Sequence, residues 1–468
     1  MRQMDRNIKL ITTVFAVAFS FLLVYFGYQV MTEGGRWFVS PSNQRLGKQL
    51  ENITPGDILD RAGTTLASSD ESGNRTYSDD AALRLGSAHV LGDHTGYSAT
   101  GVQTYHANTL LGFNNSLSGQ LGQLMGGKRQ GSDMRLTLLS SMQKAAWEYL
   151  SGKKGAAVVL NYKTGEVLCS VSSPAFEPAN AAQEAKGADA ETNGIFVNRV
   201  TQGKYAPGSI FKIVTASALL KNDMGGLTHT CTGTLQLPGG TVTCEEAHGA
   251  CDLNKAMTVS CNTYFANAGV KLGYSALLSA AEDLGFEDDF TFSDLSLYKG
   301  RVPEPENDFE LGWASVGQNK DTMTPMQAAM MVGAVANDGV MMEPKLVLGI
   351  TENGGEEKNA LNSNVYRTSM NAEVAGTLKS MLLNTVQNGT GRSAQVKGLS
   401  IGGKTGTAEV STNKEVAPHA WFVGFLDDES APLCVAVIVE NGGYGSGAAA
   451  PLAGQLLKIG SDYYHTNG

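Results

Sequence analysis

From Leu10 to Met31 the chain reads LITTVFAVAFSFLLVYFGYQVM, 22 residues without a charge. At ~1.5 Å rise per residue a helix of that length reaches about 33 Å, enough to cross a hydrocarbon core of roughly 30 Å. Two other structures could use such a run, a buried core helix or a cleaved signal peptide. A signal peptide has an apolar core of about 7–15 residues and small residues at its cleavage site. This run is longer, and Tyr25, Phe26, Tyr28 and Met31 are bulky where such a site would lie. Arg2, Arg6 and Lys9 precede it, so the excess of positive charge predicts a cytoplasmic tail over 1–9, a single anchor over 10–31, and the remaining chain on the extracytoplasmic side.

Length and charge then bound what lies beyond the membrane. A chain of 468 residues is too long for one ordinary domain, so two or three units are expected. The balance of 35 basic against 45 acidic residues gives no clustered positive surface and argues against nucleic-acid binding. Six cysteines in so long a chain are not a dense disulfide framework. Cys231, Cys244 and Cys251 lie close together, so one bridge among them is open, without a pairing being fixed. There is no CxxC pair and the seven histidines are scattered, which favours ordinary thiols over a zinc site; neither metal nor other cofactor is expected.

The polar, Gly- and Ser-rich stretch after the anchor carries only short apolar runs such as DILDRAGTTLA, predicting small strands and turns. Leu139, Met142, Ala146 and Leu150 then share one helical face. Next, AAVVLNY and EVLCSVSS flank a turn at Lys163–Gly165 and predict a hairpin. Helical segments follow in SIFKIVTASALLKN, YSALLSAAEDLGF and PMQAAMMVGAVANDG. Strands return in HAWFVGFL and PLCVAVIVEN, before a short closing helix near PLAGQLLKIGSDYY. The order predicts an α+β fold, an antiparallel sheet flanked by helices over 151–468, preceded by a small β-rich unit over 32–150.

Three short motifs carry the chemistry. Ser209-Ile-Phe-Lys212 follows Pro207-Gly208, which marks a helix start. A serine and a lysine three residues apart share a helix face, about 5–6 Å apart at Cβ. The hydroxyl needs a neighbouring base to act as a nucleophile. A lysine can serve where burial and nearby positive charge depress its pKa. In Ser260-Cys-Asn262 a hydroxyl and an amide can point into one cleft. Lys404-Thr405-Gly406-Thr407 joins a cation, two hydroxyls and a glycine that admits close backbone approach, a strand-like wall suited to a peptide carboxylate. Each motif alone arises by chance; the ordered set, with gaps of about 50 and 140 residues, is the signature of penicillin-binding proteins and serine β-lactamases.

With these motifs in view, the catalytic half resembles the transpeptidase domain of penicillin-binding proteins over nearly its whole length. KGAAVVLNYKTGEVLCSVSSPAFEPA, KYAPGSIFK, SCNTYFANAG, WASVGQNKDTMTPMQAAMMVGAVANDG, GTGRSA and GGKTGTAEV match its successive segments. Gly56-Asp-Ile-Leu-Asp60-Arg61-Ala-Gly63 resembles the start of the pedestal, the dimerisation-type unit, of class B, monofunctional members. The resemblance implies a serine D,D-transpeptidase of peptidoglycan synthesis. In it Ser209 attacks the penultimate D-Ala carbonyl of a stem peptide, and Lys212 takes the serine proton. Ser260 passes a proton to the leaving amine with Lys404 supporting it, and Asn262 holds a substrate amide. Thr405 and Thr407 bind the terminal carboxylate beside Gly406, and the backbone N–H groups of Ser209 and Thr407 form the oxyanion hole. It also implies acylation by β-lactam antibiotics and a polytopic membrane glycosyltransferase as partner.

Rival readings are weaker. Gly398 to Thr405 fits the Walker A pattern, but Thr-Ala-Glu-Val follows rather than an opening helix. A class A β-lactamase needs a deacylating glutamate, and Glu282 and Glu287 sit in no recognisable E-x-x-L-N loop.

Overall fold

A computed structural model describes residues 2–38, 52–70, 72–113, 128–187, 190, 192–352, 355–360, 362–411, 413 and 415–467. The expected pedestal span therefore lies partly outside the described residues, at 39–51, 71 and 114–127. The uncharged run lies inside one helix, Arg2–Phe38. Its Arg6–Gln29 stretch has a mean hydropathy of 2.2, and none of its apolar window is buried. Phe15, Phe21 and Val24 are each more than 70% exposed. So much continuous apolar surface is stable against lipid rather than water, which suggests a membrane anchor.

Beyond it, Ile58–Leu59 and Thr65–Ser69 pair antiparallel around a turn where Gly63 has φ +89°. They belong to a six-stranded sheet with Arg75–Tyr77, Asp133–Leu136, Val347–Thr351 and Glu357–Asn359. Two of those strands come from after residue 340, so the chain returns from the catalytic half to complete this sheet. The same region holds a helix, Ala81–Leu91, where only strands and turns were expected. Asp80 starts it by accepting from the N–H groups of Ala82 and Leu83, and Gly92, at φ +69°, ends it. Its buried face includes Gly86, Ser87 and Ala88, residues too small to print a clear apolar period.

The catalytic half is built on five antiparallel strands. They are β1 (Gly155–Asn161), β2 (Val167–Ser173), β3 (Ile401–Ala408), β4 (His419–Leu426) and β5 (Leu433–Val439), in the spatial order β3-β4-β5-β1-β2. The expected hairpin is β1–β2, with Gly165 at φ +82° in its turn. Alternate residues of β5 serve two cores. Leu433, Val435 and Val437 join Met142 and Leu150 of the helix Ser140–Leu150 and Leu452 and Leu456 of the helix Ala450–Asn467. Cys434, Ala436 and Ile438 join the helix Pro325–Ala336 through Ala329, Val332 and Gly333. Helices on both faces explain why β5 is buried at every position and reads as one continuous apolar run. The closing helix, at 18 residues, is longer than expected. Among the described residues strand β3 is a sheet edge, with β4 its one partner in the sheet.

Candidate active site

The turn that carries Ser209 is clamped before its chemistry begins. Tyr205 exchanges backbone hydrogen bonds with Met323, and the Gly208 N–H donates to the Gly317 carbonyl at 2.7 Å. Trp421 of β4 donates from Nε1 to the Ala206 carbonyl at 3.1 Å. Gly208 has φ +55°, and a Cβ there would come within 2.7 Å of the Thr407 carbonyl, so only glycine lets the turn lie against β3. Ser209 then falls in a single 3-10 turn, Gly208–Phe211, that leads into the helix Lys212–Lys221. This places the serine in the first turn, as the Pro-Gly signal predicts.

Lys212 is the hub. Its Nζ lies 3.0 Å from Ser209 Oγ, 3.0 Å from Ser260 Oγ, 2.7 Å from the Ser260 carbonyl and 2.7 Å from Asn262 Oδ1. The orientation of the Asn262 amide is set from its other end, where Nδ2 donates to the Thr243 carbonyl at 2.9 Å. The Ser260 carbonyl and Asn262 Oδ1 can only accept, and together they occupy two N–H groups. A neutral amine has two, and its lone pair is then left for a hydroxyl hydrogen. The two serine hydroxyls are themselves 3.1 Å apart. Lys404 Nζ reaches the same Ser260 Oγ at 2.9 Å and donates to the Thr405 carbonyl at 3.0 Å.

Both lysines are fully buried, while Ser209, Ser260, Asn262 and Thr407 are partly exposed. Among the described residues neither lysine forms an ion pair. Burial brings the Lys212 pKa down to about 7, against a weaker upward pull from Cys244, Cys261 and Glu245. Burial, then the positive charge of Lys212, pushes Lys404 well below the ordinary lysine value. Two buried cations with no counter-ion favour a shared, easily lost proton. Ser260 has φ +58°, a left-handed conformation that a serine adopts only when its surroundings hold it there.

The β3 residues line the other wall. Lys404 lies opposite Val423, and Gly406 opposite Trp421. Thr405 Oγ1 is 3.0 Å from Thr390 Oγ1, and Gln318 Nε2 donates to the Thr407 carbonyl at 3.1 Å. A Cβ on Gly406 would sit 2.9 Å from Trp421 Cβ, 3.1 Å from Ile210 Cγ2 and 3.1 Å from the Pro207 carbonyl. The bare α-carbon therefore admits the turn that carries Ser209. The Walker A match fails on structure, because Lys404 lies inside a strand rather than in a loop before a helix. Thr390 and Gln318 were not singled out from sequence. Both lie in matched family segments, GTGRSA and WASVGQNK, but contacts spanning 15 and 89 residues leave no local pattern.

Comparison with known proteins agrees with this geometry. The family profile described as the penicillin binding protein transpeptidase domain matches residues 155–458. Peptidoglycan D,D-transpeptidase PbpA of Mycolicibacterium smegmatis is 29% identical over 386 residues, covering 76% of this chain and 78% of that one. The crystal structure of the D,D-transpeptidase domain of a peptidoglycan glycosyltransferase from Eggerthella lenta superposes with a TM-score of 0.74 at 29% identity, covering 88% and 99% of the two chains. Penicillin-binding protein A of Mycobacterium tuberculosis, solved as its penicillin G acyl-enzyme complex, gives 0.75 at 27% identity, covering 87% and 99%. An α+β body that joins the first two motifs on one buried lysine and the third to them through Ser260, and matches across most of its length, places this chain in the penicillin-binding protein transpeptidase family, among its class B members.

Proposed function

We propose that the protein is a peptidoglycan D,D-transpeptidase working through an acyl-enzyme on Ser209. The observation that supports this best is the Lys212 amine, held between Ser209 Oγ and Ser260 Oγ with its strictly accepting neighbours already satisfied. In the forward step Ser209 Oγ bonds to the penultimate D-Ala carbonyl and gives its proton to Lys212 Nζ. The tetrahedral oxyanion lies against the N–H groups of Ser209 and Thr407. As it collapses, the peptide C–N bond breaks. The proton travels from Lys212 through Ser260 Oγ, with Lys404 behind it, to the leaving D-Ala amine. The amine of a second stem peptide then attacks the ester, returns a proton along the same path and releases Ser209 with a new peptide bond. Asn262 holds a donor-peptide amide, and Thr405 and Thr407 the terminal carboxylate across Gly406. A β-lactam enters as a mimic whose leaving nitrogen stays attached after its ring opens.

The same reading assigns residues 1–9 to a cytoplasmic tail, 10–31 to the anchor, 32–150 to the pedestal and 151–468 to an extracytoplasmic transpeptidase domain. A polytopic membrane glycosyltransferase is the partner it implies, to be sought by co-purification of the full chain from membranes. The activity is tested on full-length protein in detergent with a D-Ala-D-Ala stem peptide and an acceptor amine. Transfer predicts one cross-linked product for each D-Ala released. D-Ala release with only the hydrolysed peptide, at saturating acceptor, would make the protein a carboxypeptidase instead.

A further inference from the structure

Beside the proton path, four side chains from four separate segments converge. Cys231 ends the strand His229–Cys231, Cys244 follows the strand Gly240–Thr243, and His248 precedes the strand Gly249–Cys251. Cys261 caps the helix Asn262–Leu272. Their ligand atoms all lie within 4.8 Å of one another. Cys231 Sγ is 3.7 Å from Cys244 Sγ, Cys244 Sγ is 3.8 Å from Cys261 Sγ, and Cys231 Sγ is 3.5 Å from His248 Nδ1.

Those separations have a specific meaning. A tetrahedral zinc ion with Zn–S of about 2.3 Å and Zn–N of about 2.0–2.1 Å sets its ligands about 3.8 Å apart for two sulfurs and about 3.6 Å for sulfur and nitrogen. No pair of the six thiols is bonded as a disulfide. The surroundings suit thiolates: the N–H of Thr263 donates to Cys244 Sγ at 3.3 Å, and that of Tyr264 to Cys261 Sγ at 3.4 Å. The second ring nitrogen of His248 faces Glu246 at 4.0 Å, the side on which an outer carboxylate steadies a metal-bound imidazole.

We infer that Cys231, Cys244, His248 and Cys261 form a structural zinc site that braces the second catalytic motif. Four protein ligands leave no position for water or substrate, so the ion holds structure rather than performing chemistry. What it would hold is specific. Cys261 is the middle residue of Ser260-Cys261-Asn262, beside the left-handed Ser260, and Asn262 is tied to the Thr243 carbonyl next to Cys244. Both flanks of the motif are thus anchored at metal ligands. The sequence reading, which expected no metal, lacked the usual signal: the intervals between ligands are 12, 3 and 12 residues, with no CxxC.

The test is metal content. Full-length protein is purified in detergent under reducing conditions from zinc-supplemented cells and analysed by plasma mass spectrometry, alongside Cys231→Ser and His248→Ala. The inference expects about one zinc per wild-type chain, falling roughly tenfold or more in both variants. Should a variant fail to fold, cobalt exchange into the wild type decides. Intense visible d–d bands with sulfur charge transfer mark a tetrahedral, thiolate-rich site. Penicillin-labelled, folded wild type that carries no metal and takes up no cobalt would overturn the inference, as would a native disulfide within the cluster. Neither readout depends on transpeptidase activity.

Discussion

Replacing Lys212 with methionine keeps the bulk of the side chain and removes the amine from the hub. At a pKa of about 7, about half of the lysine is neutral at pH 7, whereas an unperturbed lysine near 10.4 would be neutral in roughly one molecule in 2,500. Burial thus raises the supply of base about a thousandfold. Since the proton must be off Lys212 before Ser209 can pass one to it, acylation falls about tenfold per pH unit below 7 and levels off above it. Positioned acid–base groups contribute about 10²–10⁴ in rate, so Lys212→Met should lose that much and also lose the pH dependence. The Ser260 carbonyl and Asn262 Oδ1 would be left without donors, at about 1–3 kcal/mol each, so melting curves must first establish that the variant is folded. The assay is the second-order rate constant for a fluorescent penicillin between pH 5 and 9. An unchanged limb near pH 7 in Lys212→Met would refute Lys212 as the base; its disappearance in Lys404→Met instead would move the role there.

Gly406→Ala should cost about 1–3 kcal/mol by overpacking against Trp421. Because the new methyl presses on Pro207 and Ile210 on either side of Ser209, it should slow acylation about a hundredfold in folded protein; a normal rate would show that the turn is free to shift. Asp321 is buried with neither carboxylate oxygen bonded, and burial holds its pKa well above the ordinary value. The folded state therefore binds the extra proton, and stability is lost as pH rises from about 4 through the folded-state pKa. Asp321→Asn should raise Tm over wild type by a margin that grows between pH 4 and 8, whereas a constant margin in thermal-shift assays would contradict this.

The sequence carried the architecture where physics is local. Two apolar, β-rich runs around a turn marked β1 and β2, Pro207-Gly208 marked the turn that carries Ser209, and an uncharged run marked the exposed N-terminal helix. It failed where the cause lies across the fold. The helix Ala81–Leu91 buries small residues and so prints no period. The need for glycine at 406 comes from Trp421 and Ile210, residues far away in the chain. The four metal ligands are scattered through a β-rich excursion whose folding cannot be read from spacing. For Ser209, Lys212, Ser260, Asn262 and Lys404, residue identity and order were enough to propose the group. That one amine touches three of the other four could only come from the fold.

Ser209 is the serine proposed to be acylated. Full-length protein in detergent is treated with penicillin G, digested, and mapped by mass spectrometry beside Ser209→Ala. One adduct is expected, on the peptide containing Ser209-Ile-Phe-Lys212, stable over the experiment and absent from the variant. An adduct on another serine, or labelling that survives Ser209→Ala, would contradict it.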